Sequence, residues 1–210
     1  MRRFRLTPLR LAAAIAMAAC VSTGVAYAAT LGLSSSKLHA WSQTLTKGTC
    51  SPSTLFDTYV SQATPNTPIG NAPPTLLVSG AVNAQNYTFV RFDLSGCNIP
   101  ATGGADNATL TINVTAAGHD KISVFPVLSA WDPATLTWNG LAGLTIGSTA
   151  TATQPVNSAR AFSFTVTSDV DAAIKAGVLW GWEIQDTSGT ATTVISSTTN
   201  PPSLSINYEK

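Results

Sequence analysis

Residues Thr88–Leu94 read TFVRFDL. Thr88, Val90, Phe92 and Leu94 fall on one side of an extended chain; Phe89, Arg91 and Asp93 fall on the other, because successive side chains of a strand point to opposite faces. The same period of two recurs along the chain. Leu110, Ile112 and Val114 alternate with Thr and Asn; Phe162, Phe164 and Val166 alternate with Ser and Thr. Trp180, Trp182 and Ile184 alternate with Gly181, Glu183 and Gln185, and Leu204, Ile206 and Tyr208 repeat the pattern near the end. Strict alternation marks half-buried strands. Stretches rich in Gly, Pro, Asn and Ser separate them, at Thr64–Pro74, Asn98–Asp106, Gly140–Gly147, Ser188–Thr190 and Asn200–Pro202. Many short strands with regular turns predict an all-β, jelly-roll-like antiparallel β-sandwich rather than a parallel α/β fold. One helix is expected, over Ser168–Ala176, with Ser168 as its cap, Val170 and Ile174 on one face and Gly177 as its stop.

Outside the strands, the N-terminus sets the compartment. Met1–Arg10 is basic, Leu11–Cys20 is apolar, and Ala26-Tyr27-Ala28 forms an A-x-A site. These are the three parts of a secretory signal, so residues 1–28 are expected to be a signal peptide and the product to be secreted. The apolar run is shorter than the roughly 20 residues a membrane-spanning helix needs, which argues against stable membrane insertion. Lipoprotein anchoring at Cys20 is the minor alternative. Residues 29–52 are expected to form a polar N-terminal lead-in, and residues 53–210 the sandwich domain.

Without residues 1–28, which hold four of the eleven basic residues and no acid, seven basic and ten acidic residues remain, a net charge of −3. A chain so poor in charge lacks the clustered Lys and Arg of a nucleic-acid binder, and it lacks the Glu/Lys/Leu richness of a coiled coil. Cys50 and Cys97 are the cysteines left after residue 28, and in an oxidising compartment such a pair is expected to bridge.

From about Ser53 onward the chain resembles the DNRLRE domain family, also described as carbohydrate-binding module family 96. The resemblance rests on Asp57-Thr58-Tyr59-Val60, Arg91-Phe92-Asp93-Leu94-Ser95 with Ile99-Pro100, and Asn107-Ala108-Thr109-Leu110. It continues through Trp131-Asp132, Leu136-Thr137-Trp138-Asn139, Gly181-Trp182-Glu183-Ile184 and Pro202-Ser203-Leu204 with Tyr208. It implies a jelly-roll β-sandwich in a secreted bacterial protein, used as an accessory or surface module. Binding of acidic polysaccharide such as alginate is described for some members.

Catalysis finds little support in the residues. A glycosidase needs two carboxyls flanking a bond; Asp93 and Glu183 sit on solvent-facing strand positions that could share a face, but Asp93 is also placed to bond its own backbone. His119-Asp120 lies in a turn without a nucleophile context. The reading is therefore of a non-enzyme. The aspartates show no calcium-loop spacing; Asp169-x-Asp171 is read as supporting the helix N-terminus, and a structural calcium is left open. Sugars stack on exposed rings while nearby amides and carboxylates bond their hydroxyls. Trp131, Trp138 and Trp182 are read as core, so the candidate ligand-binding residues are Tyr87, Arg91 and Asp93, in one row, with Trp180. The expected function is a non-catalytic module binding a cell-wall or matrix polysaccharide or another cell-envelope component, with a structural surface or matrix protein as the alternative. The sequence leaves the oligomeric state undetermined.

Overall fold

A computed structural model describes residues 46–209 except 119, 189 and 190. The expected signal peptide, Cys20, the lead-in up to residue 45 and His119 lie outside the described residues.

Among the described residues the chain forms eleven antiparallel strands and one α-helix. In one sheet, β1 (Lys47–Cys50) pairs with β11 (Ser203–Glu209), β11 with β5 (Gly104–Ala116), and β5 with β8 (Ala161–Thr165). In the other, β2 (Leu55–Ser61) pairs with β4 (Asn86–Phe92), β4 with β9 (Trp182–Asp186), β9 with β6 (Asp120–Pro126), and β6 with β7 (Ala152–Val156). β3 (Thr75–Ser79) and β10 (Thr192–Ser196) pair with each other. The end of the long β5 leaves its first partners and pairs with β10, so one strand serves both sheets.

The core lies between the sheets. Leu110, Ile112, Phe162, Phe164, Leu204 and Ile206 meet Leu76, Val90, Ile122, Trp182, Ile184 and Ile195 in one continuous cluster. These are the inward members of the alternating runs. Non-directional burial of apolar area, together with the strand preference of β-branched and aromatic residues, therefore accounts for both pairing register and layering. The all-β sandwich with one short helix is the fold the alternation predicts.

The helix α1 spans Thr167–Ala176 and buries Val170, Ala173 and Ile174. It ends as expected at Gly177, whose φ of 74° is the left-handed geometry glycine adopts without strain. Its start differs from expectation. The cap position is Val166 with no side-chain cap, and Ser168 lies inside the first turn. Thr167 instead accepts the amide of Ala108 through Oγ1 at 2.9 Å, tying the first turn to β5. Asp169 accepts Trp182 Nε1 and Thr151 Oγ1, both at 2.7 Å, and Asp171 accepts Lys175 Nζ at 2.5 Å. The two carboxyls thus anchor different neighbours.

A second difference occurs at Gly181. The expected alternation puts Trp180 on the same side as Trp182. In the structure β9 begins only at Trp182, and Gly181 has φ +82°. A Cβ there would come within 2.0 Å of the Val90 carbonyl oxygen, so both the backbone turn and the close approach require glycine. The turn sends Trp182 into the main core and Trp180 to the opposite face of the sheet.

That opposite face carries a second, smaller cluster. Residues 127–146 cross it and bury it: Val127, Trp131 and Leu136 pack with Val60 and Phe89, with Tyr87, Trp138 and Trp180 at the margin. The Tyr87–Phe89–Arg91 row is therefore covered over much of its length.

Candidate functional site

Of the expected row Tyr87, Arg91 and Asp93, with Trp180 beside it, Tyr87 is set apart from the other three. Tyr87 is half-buried, with its ring centroid 4.9 Å from that of Trp138. Phe89 is fully buried under Trp131, centroids 5.6 Å apart. Arg91 lies where the cover ends, and Asp93 sits one residue beyond the end of β4, exposed. Trp180 is brought to Arg91 by the Gly181 turn. Arg91, Asp93 and Trp180 line one cleft of about 500 Å³ between the end of β4 and the chain after α1; Tyr87 stands outside it.

Arg91 is the centre of this cleft. Its guanidinium carbon lies 4.5 Å from the ring centroid of Phe56, 5.4 Å from Trp131 and 5.9 Å from Trp180. Ring faces carry negative potential, so three of them hold a cation without neutralising it. One guanidinium N–H donates to the Trp131 carbonyl at 3.3 Å, and Trp131 Nε1 donates to the Trp180 carbonyl at 2.7 Å. Among the described residues no carboxylate is within ion-pair distance of Arg91. Its remaining N–H donors are available to whatever enters the cleft.

The far wall is the turn that follows β4. Asp93 accepts the Ser95 amide at 2.8 Å, and this bond, more than the charge of Arg91, holds its carboxyl below the usual range. A short 3-10 turn, Ser95–Cys97, leads to Asn98, whose φ of 50° is left-handed. Cys97 is bonded to Cys50, Cα atoms 5.5 Å apart, and its carbonyl accepts the Tyr208 hydroxyl at 3.3 Å. The expected disulfide thus fixes the wall to β1, which lies within the expected lead-in of residues 29–52.

Sequence reasoning missed Phe56 and Asn98. The alternation of β2 puts Phe56 on the outer face, but only the β2–β4 register sets it opposite Arg91. Glu183 corrects another expectation. It occupies an outward strand position, yet it is 1 % exposed beneath the cover and does not line the cleft with Asp93. Burial pushes its carboxyl up to about 7, against the opposing bond from Gln185. The two carboxyls considered for glycosidase chemistry therefore sit in different environments and do not face a shared opening. Among the described residues no group of three or more His, Cys, Asp or Glu is placed to hold a metal. No helix among them is long and apolar enough to cross a membrane.

The described chain is thus a two-layer antiparallel sandwich with an aromatic-walled cleft beside the end of β4. The chain belongs to carbohydrate-binding module family 96, whose sequence model matches residues 49–208. That span begins inside β1 and ends inside β11, so the match takes in both sheets. No curated protein matches the chain.

Proposed function

We propose that the domain binds a polysaccharide outside the cell, without catalysis, and that the Phe56–Arg91–Trp180 cleft is where a sugar unit sits. The observation that carries this reading is Arg91, a cation walled by three rings, unpaired by any carboxylate among the described residues, at an opening of about 500 Å³. Trp180 and Phe56 offer apolar surface for the C–H face of a pyranose, and Asp93 and Asn98 offer hydrogen-bonding groups at the rim. The free guanidinium donors suit a carboxylate, which Arg grips in bidentate fashion, so a uronic-acid unit is the favoured ligand over a neutral one. Family membership and the Cys50–Cys97 bridge support the carbohydrate and extracellular parts of the reading. Tyr87, held against Trp138, supports the cover in this reading and does not touch the sugar.

Titration calorimetry against a panel of uronate and neutral polysaccharides tests it. Saturable binding to a uronate polymer is expected, with Arg91→Ala weakening it by about 2 kcal/mol, roughly thirtyfold, and Trp180→Ala by a similar amount. Absence of binding across the panel moves the assignment to a structural surface protein. Release of sugar products would contradict the non-catalytic part.

A further inference from the structure

The outer face of the second sheet holds a carboxyl that the cleft does not use. Glu183 Oε1 accepts the Gln185 side-chain amide, and Oε2 has no partner. Its cross-strand neighbours are Phe89 on β4 and Phe125 on β6. Phe89 packs against Trp131, and Trp131 backs two residues that line the cleft: its ring lies 5.4 Å from the Arg91 guanidinium, its carbonyl accepts from Arg91, and its Nε1 donates to the Trp180 carbonyl. One indole therefore stands between the neighbour of the buried acid and the opening.

The charged and titratable groups on this face do not stabilise an ionised Glu183. Tyr87 faces it from β4, and its hydroxyl is raised by burial and then by Glu183. Arg91 on β4 is held by its rings, and the side chain of Lys121 on β6 is exposed. Neither forms an ion pair with Glu183. β2 contributes Phe56, Thr58 and Val60, none charged, and Asp132 in the cover is exposed and turned to the Ala134 amide. An ionised carboxylate in this layer is relieved only by water. The strands around it are paired on both sides, whereas residues 127–146 are joined to the rest by a few backbone bonds, such as Val127 N–H to Gly181 and Asn139 N–H to Pro65. Of the segments over Glu183, the cover is the one not held by strand pairing, so it is the one that can part from this layer without breaking a sheet.

We propose that residues 127–146 are a pH-operated cover: neutral Glu183 keeps it seated, and ionised Glu183 loosens it together with Trp131, which backs the cleft residues Arg91 and Trp180. The consequence for binding rests on the carbohydrate reading; the motion itself does not.

Hydrogen exchange, corrected for intrinsic rates, is measured over peptides of 127–146 at about pH 5.5 and about pH 8.5 on the whole chain. In the wild type, protection is expected to fall by about tenfold or more at the higher pH. In Glu183→Gln and in Glu183→Met, the second serving if the first does not fold, protection is expected to stay level. Level protection in the wild type, or a fall that persists in the variants, overturns the proposal. Titration of a uronate polymer at both pH values is a separate arm. Affinity that ignores pH while protection falls refutes the coupling to the cleft. No affinity at either pH refutes the uronate reading and leaves the cover standing.

Discussion

Glu183 and Arg91 illustrate how the same sheet face can treat two charges differently. Arg91 stands at the edge of the cover, where rings and one carbonyl hold a guanidinium that still reaches solvent. Glu183 stands beneath it and has lost its water. The sign of its contribution follows from where its proton is held. Folded chain keeps the proton up to about 7, while an unfolded Glu releases it near 4.5. The stabilisation is thus present in full below about 4.5 and is lost as pH rises through about 7. The loss is about 3 kcal/mol at most, because water admitted by a loosened cover returns part of it. Glu183→Gln is expected to remove this dependence, so that its melting temperature exceeds the wild type's at pH 8 by up to about 10 °C and matches it more closely at pH 4.5. Asp57, whose carboxyl burial also raises, is common to both proteins and drops out of the comparison. Equal melting temperatures across that range would contradict the argument. None of this is legible in the sequence, where Glu183 occupies an outward position of an alternating strand and reads as solvated.

Among the elements, β1 and the turn after β4 depend on each other. Among the described residues β1 is an edge strand of four residues paired only with β11, and the bridge from Cys50 to Cys97 spans 47 positions. Closing a loop of that length stabilises the fold by about 4 kcal/mol in the chain-entropy account. Cys50→Ser with Cys97→Ser is therefore expected to lower the denaturation free energy by about that amount, measured in urea, and to leave β1 and the Asn98 wall of the cleft the first parts to exchange. Coincident urea curves for wild type and variant would count against a structural role. The pairing was legible from two cysteines and the expectation of export. Its role in shaping the cleft was not, because that depends on Tyr208 and β11 meeting Cys97 from the other end of the chain. The helix shows the same division: its stop at Gly177 is local and was readable, whereas its start is set by β5 through Thr167 and was not.

For the molecule as a whole, one apolar cluster joins both sheets and α1, and β5 belongs to both layers. Unfolding is expected as a single cooperative transition, with far-UV and near-UV circular dichroism superimposing on heating at pH 5. Separated curves would show that the sheets melt independently. The sequence by itself determined five of the eleven described strands (β4, β5, β8, β9 and β11) with most of their inward residues, the sandwich class and the disulfide, because period-two alternation, turn residues and cysteine pairing are local or compositional signals. Only the tertiary structure decided that residues 127–146 lie over Phe89, that Glu183 is buried, and that Gly181 turns Trp180 to meet Phe56 and Arg91. Those facts depend on which distant segments come to share a face, and alternation says only that a side chain points out of a sheet, never what lies above it.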